Sequence, residues 1–148
     1  MVWLIILAFP AFFGAMWVGI MSFLAWASGW RTLARVYGAE VPEDFAGKWL
    51  IHVTLGRGRF PRVHYRGALL AEFRSDALVL KPQILFRWAH PPLVIPRKVI
   101  SAREKKGLLR PYLEVRTAAD ETISFHMYVR QFGWPEDIAG PSKERASP

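Results

Sequence analysis

Residues 1–30 read MVWLIILAFPAFFGAMWVGIMSFLAWASGW and contain no charged side chain; every Lys, Arg, Asp and Glu of the chain follows Trp30. A hydrocarbon core of ~30 Å is crossed by about 20 apolar helical residues. The run Val2–Ala27 supplies that length, interrupted only by Ser22 and by Pro10, Gly14 and Gly19, which membrane helices tolerate. This stretch predicts a retained membrane span carrying one domain behind it. A cleaved secretory signal is the rival reading, because Ala25-Trp26-Ala27 before Ser28 follows a small-x-small pattern. Against it stand the absence of Lys or Arg before the apolar run and a run longer than the ~7–15 residues of a signal core. A buried core helix fails on length and on the lack of a polar face.

Charge asymmetry sets the expected orientation. Arg31 and Arg35 lie just past the apolar run and the region beyond is basic; positive residues stay cytoplasmic, so the N-terminus is expected outside and the rest inside. Trp26 and Trp30 fall where a cytoplasmic aromatic belt would be, with Arg31 and Arg35 beside them, and Trp3 falls where the outer belt would be. Trp30, Leu33 and Tyr37 recur at helical spacing. They predict either a short amphipathic helix lying apolar side down on the membrane or a bent continuation of the span. Gly38 ends it, and a linker follows at Val41-Pro42-Glu43-Asp44.

The chain of 148 residues has a net charge of +8 and no cysteine, which removes disulfides, thiolate metal sites and thiol catalysis. The basic excess is local: Arg57 to Arg110 holds thirteen Lys or Arg against three Asp or Glu, and the residues after Arg110 hold four against six. Beyond the linker the pattern is β. Trp49–Leu55, Val63–Phe73, Ala77–Leu80, Ile84–Phe86, Leu93–Ile95, Leu108–Thr117 and Glu121–Val129 are strand-like runs separated by Gly, Pro, Ser and Asp. Gly67 marks a bulge or close approach. Ile123, Phe125, Met127 and Val129 alternate with Ser124, His126, Tyr128 and Arg130, the pattern of a half-buried strand. Six or seven short strands predict a small antiparallel barrel or sandwich.

Two stretches carry a resemblance: Ser28-Gly29-Trp30-Arg31-Thr32-Leu33-Ala34-Arg35-Val36-Tyr37, and Leu85-Phe86-Arg87-Trp88-Ala89-His90-Pro91-Pro92-Leu93-Val94-Ile95-Pro96 followed by Ile100. Together they resemble uncharacterised bacterial single-span membrane proteins whose soluble part looks like a pleckstrin-homology or GRAM-type β-barrel. Arg97 stands where that group commonly has Trp, and Gly133 with Pro135 departs from a long closing helix of the pleckstrin type. The resemblance implies a fold and a place at the bacterial inner membrane. It implies no catalytic residue.

The residues themselves point away from catalysis. His52, His64, His90 and His126 are dispersed, with no paired spacing for a metal and no adjacent nucleophile. Gly56-Arg57-Gly58-Arg59 lacks the Lys-Ser/Thr of a phosphate loop. The chain is read as a non-enzyme, and no cofactor is expected. The sharper expectation concerns Arg57, Arg59, Arg62 and Arg66 around Phe60, with Lys105 and Lys106 at a second loop. Converging on one rim, they would form a contact for anionic lipid headgroups, worth roughly 1 kcal/mol per basic residue near the surface. Enforcement of topology and solubility is the plainer reading of the same charges. Nucleic acid is disfavoured, since no recognition helix or RNA-binding signature is present. Ala11–Ala15 and Ala15–Gly19 are small-x-x-x-small pairs that permit helix packing, which raises the alternative of an accessory subunit acting through its helix and a sheet edge.

The expected organisation is therefore an anchor over 1–30, a juxtamembrane helix and linker over 31–46, a pleckstrin-like β domain over 47–139 and a disordered tail over 140–148. Its expected role is binding or scaffolding at the cytoplasmic membrane surface.

Overall fold

The computed structural model describes residues 2–50, 52–59 and 61–134, with the main chain alone for residues 2–5 and 7. The expected tail over 140–148, Phe60 and the side chain of Trp3 lie outside the described residues. Helix α1 spans Val2–Ala27 and is long and apolar enough to cross a membrane. A sharp turn at Ser28-Gly29 leads into helix α2, Trp30–Tyr37. Gly29 makes the turn with φ +85°, a conformation a β-carbon disfavours.

Nine strands follow among the described residues: β1 Lys48–Leu50, β2 Val53–Arg57, β3 Val63–His64, β4 Leu69–Phe73, β5 Ala77–Pro82, β6 Leu93–Pro96, β7 Ile100–Lys105, β8 Tyr112–Thr117 and β9 Ile123–Tyr128. They form two antiparallel sheets, one in the order β1-β4-β5-β6 and the other β3-β2-β9-β8-β7. The expected β class with an N-terminal apolar helix is present, but the two sheets do not close into a barrel and the strand count exceeds six or seven. Two expected single runs are each divided between the sheets. Trp49–Leu55 splits into β1 and β2, and Val63–Phe73 splits at the Arg66–Ala68 turn into β3 and β4. Gly67 serves that turn with φ +64° rather than a bulge. Ile84–Phe86 is a turn, and Leu108 and Leu109 sit in the β7–β8 loop outside any strand.

The inner faces of both sheets share one core. Leu69, Leu78, Leu80, Leu93 and Ile95 of the first meet Val53, Leu55, Leu113, Val115, Phe125 and Met127 of the second. The same core takes in Met21 and Ala25 of α1 and Trp30, Leu33 and Tyr37 of α2. Burial of side chains this size contributes about 1.5–3 kcal/mol each, so α2 is a structural element of the β domain. Its apolar stripe turns into protein, not onto a membrane surface. Gly38 bridges to Leu93, and the amide of Ala39 donates to Pro92 O at 3.3 Å, tying the end of α2 to β6. At the opposite end Phe73 packs edge-on against Phe132 and Trp134, at 5.3 and 5.2 Å between ring centroids.

Candidate functional site

Two polar constellations stand out, one sealed and one open. The sealed one joins the turn between the helices to the β domain. Tyr65 OH donates to Ser28 Oγ at 2.9 Å and lies 3.0 Å from His90 Nε2. Trp30 Nε1 donates to Pro91 O at 3.0 Å, and the Trp30 amide donates to Ser28 Oγ at 3.3 Å. The Trp30, Tyr65 and His90 rings lie 5.4–5.6 Å apart by centroid. The stretches around Ser28-Gly29-Trp30 and His90-Pro91-Pro92 therefore meet, although sixty residues separate them in sequence.

A hydroxyl beside a histidine invites a nucleophilic reading. All three groups are sealed from solvent: Ser28 is 0% and His90 1% exposed, and Tyr65 is buried with them. Burial lowers the His90 pKa to about 4, so its ring is neutral at neutral pH. Burial also raises the Tyr65 pKa above its ordinary value, against the hydrogen bond to Ser28. With Tyr65 donating to Ser28, His90 Nε2–H donates to Tyr65, and Nδ1 is left without a partner. The arrangement is a latch that positions α1 on the domain.

The open constellation is the outer face of the five-stranded sheet. Strand alternation turns Leu113, Val115, Phe125 and Met127 inward, which turns their neighbours outward. Pairing then lines up Arg103, Glu114, His126, Thr54 and His64 in one row. Lys105, Tyr112 and Tyr128 form the row on one side, and Ser101, Arg116, Ser124 and Gly56 the row on the other. Glu114 is the one carboxylate in these rows among the described residues. It accepts from Lys105 Nζ at 2.8 Å and Arg116 Nη2 at 3.2 Å, and His126 Nε2 lies 3.6 Å away. Burial pushes the Glu114 carboxyl up, but the hydrogen bonds from Lys105 and Arg116 outweigh it and hold the pKa at about 2. His126 is lowered to about 4, first by burial and then by the Arg62 charge.

Arg62 reaches this face because Gly56 has no side chain: a β-carbon there would stand 2.6 Å from Arg62 Cγ. The guanidinium then donates to Ser124 Oγ at 3.2 Å. Two open depressions flank the rows. One is lined by residues including Lys98, Arg103, Lys105 and Arg116, the other by His52, His64, Arg66 and His126. The histidines do not converge as metal ligands: no group of three or more His, Cys, Asp or Glu is placed to hold an ion among the described residues.

The expected basic contact is thus only partly assembled. Arg62 lies across the outer face, Arg66 lines one depression and Lys105 caps Glu114. Arg59 and Lys106 are exposed in turns outside the strands. Arg57 pairs with Asp120 at 3.4 Å. The β2–β3 loop bearing Arg59 lies beside the β8–β9 turn, where Gly58 N donates to Thr122 O at 2.8 Å. Lys105 and Lys106 stand at the opposite end of the sheet, so the two loops do not share a rim. Arg103 and Arg116 join the face by register, which residue spacing alone does not give. Of the expected membrane-interface residues, Trp26, Arg31 and Arg35 are exposed, whereas Trp30 is 0% exposed inside the core.

No protein-family model, curated protein or solved structure matches the chain.

Proposed function

We propose that this chain is a membrane-anchored, non-catalytic binding module of the bacterial inner membrane, with its N-terminus outside and a pleckstrin-like β domain held against the cytoplasmic leaflet. The observation that carries this reading is the shared core: Met21 and Ala25 of α1 and Trp30, Leu33 and Tyr37 of α2 are buried with both sheets. A domain built onto its own helix cannot stand away from the bilayer that the helix crosses. Its cations are then held at short range from anionic headgroups, where each contributes roughly 1 kcal/mol. Arg31 and Arg35 sit next to the helix end, and Arg62, Arg66, Arg103, Lys105 and Arg116 supply the sheet face. The sealed Ser28–Tyr65–His90 latch supports a structural role for the polar groups that most resemble catalytic ones.

The test uses the full chain, because a fragment beginning at Arg31 would lack Trp30 and the Ser28 hydroxyl. With no native cysteine, Ser101→Cys carries a unique environment-sensitive fluorophore on the outer face. In nanodiscs, adding phosphatidylglycerol to phosphatidylcholine is expected to shift its emission. High salt is expected to reverse the shift, and Arg62→Gln with Arg103→Gln to abolish it. Emission indifferent to lipid charge would overturn the headgroup contact.

A further inference from the structure

The ten residues from Gln83 to Pro92 connect β5 to β6 and carry a second unusual surface. Ile84 is 78%, Leu85 63% and Trp88 49% exposed, three large apolar side chains within five positions. Hydrogen bonds nonetheless tie the segment down. Gln83 N donates to Ala68 O at 3.0 Å and Gln83 Nε2 to Gly67 O at 2.9 Å, which pins its start. The amides of Phe86, Arg87, Ala89 and His90 each donate to carbonyls within the segment, and His90 ties it to the latch. Its apolar side chains are therefore presented by a fixed scaffold.

The segment lies beside α1. Phe86 packs on Trp17, with ring centroids 5.9 Å apart. Trp17 falls in the middle of the candidate span Ala8–Ala27. A hydrocarbon core takes about 20 helical residues, and any such stretch within Val2–Ala27 contains every residue from Ala8 to Met21. Trp17 is then at least about 6 Å inside the nearer boundary, four residues at 1.5 Å each. Whatever touches Trp17 from the side of the β domain enters the bilayer with it.

We infer that the Ile84–Trp88 turn is a membrane wedge: a second, non-helical insertion in which Ile84, Leu85 and Trp88 contact lipid chains beside α1. Non-helical backbone within the hydrocarbon requires its polar groups to be satisfied internally. The amides of Gln83, Phe86, Arg87, Ala89 and His90 are, whereas those of Ile84, Leu85 and Trp88 have no backbone acceptor. That sets the tip's main chain at the headgroup boundary, with its side chains reaching down to the lipid chains. Arg87 is the sole charge between Gln83 and Ala89; its Nε donates to Pro82 O at 3.3 Å, and an exposed guanidinium on a long stem reaches headgroups from a shallow depth. Trp88 suits the interface, where its ring is half apolar and half wet. The inference rests on α1 crossing the membrane. It adds a second attachment point, which fixes the rotation of the domain about the helix axis as well as its distance from the lipid.

Three single-cysteine variants of the full chain, each bearing a fluorophore and reconstituted in phosphatidylcholine vesicles, test it. Leu85→Cys reports the turn, Phe12→Cys the exposed face of α1, and Ser75→Cys the far end of β5, about 20 Å from the turn along six residues. Nitroxide-bearing lipids are expected to quench the labels at Leu85→Cys and Phe12→Cys, and aqueous iodide only the label at Ser75→Cys. If Leu85→Cys behaves like Ser75→Cys while Phe12→Cys remains lipid-quenched, the anchor stands and the wedge is overturned. If Phe12→Cys is also iodide-quenched, the span itself is wrong and the wedge falls with it.

Discussion

Gly29 faces Ile123 so closely that a β-carbon on it would stand 2.6 Å from Ile123 Cδ1 and 2.8 Å from Cγ1. The turn between the two helices is therefore seated directly on β9, and glycine is required there twice, for its positive φ and for the contact. Gly29→Ala is expected to lower the thermal midpoint of the full chain in micelles, the backbone strain alone costing about 1–3 kcal/mol. Ile123→Val removes the Cδ1 methyl and should recover part of the loss in the double variant. An unaffected midpoint for Gly29→Ala would contradict the seating of the turn.

Tyr65 holds the latch from the domain side. Tyr65→Phe removes a hydroxyl that serves both Ser28 and His90, leaving buried groups without partners. The expected loss is about 1–3 kcal/mol. Ser28→Ala should cost less when Tyr65 is already Phe, and a double-mutant cycle measures that coupling. Strict additivity would show that the two hydroxyls do not interact.

Acid should destabilise the domain in two stages. His90 and His126, lowered from 6.5 to about 4, resist protonation in the fold, so stability falls as pH drops from 6.5 towards 4. Glu114 is lowered from 4.5 to about 2; the stability it contributes is full above pH 4.5 and is lost as pH falls towards 2. Glu114→Gln should therefore cost about 1–2 kcal/mol at neutral pH, a modest figure because Lys105 and Arg116 are nearly half exposed and screened. It should also flatten the lower stage and deepen the upper one, because the Glu114 charge raises the His126 pKa against burial. Midpoints measured across this range check both, and an unchanged lower stage would contradict the ion-paired state of Glu114.

How much of this could be read from the residues depends on the range of the interaction that decides each feature. The apolar run of α1 and the alternation of Ile123, Phe125 and Met127 are local, and both appear as the spacing predicts. The stripe Trp30, Leu33, Tyr37 was equally legible, but periodicity says only that one face is apolar; lipid and protein core write the same pattern. That is why the spacing predicts either a helix lying on the membrane or a bent continuation of the span, whereas α2 lies in the core. β1 and β3, of three and two residues, exist through pairing with β4 and β2 and carry no periodicity of their own. The Glu114 cluster depends on register across β7, β8 and β9, and the Ser28–Tyr65–His90 latch on contacts between distant segments. The charge clusters near Arg57 and Lys105 were visible as composition, but their placement at opposite ends of one sheet was not.

The account depends above all on α1 and the β domain being one body. Double electron–electron resonance between nitroxides on Phe12→Cys and Ser75→Cys in the full chain measures this directly, because no native cysteine competes for the label. A single narrow distance, the same in micelles and nanodiscs, is predicted. A broad distribution, or one that shifts between the two, would mean that the domain swings about Ser28-Gly29 and would contradict the shared core.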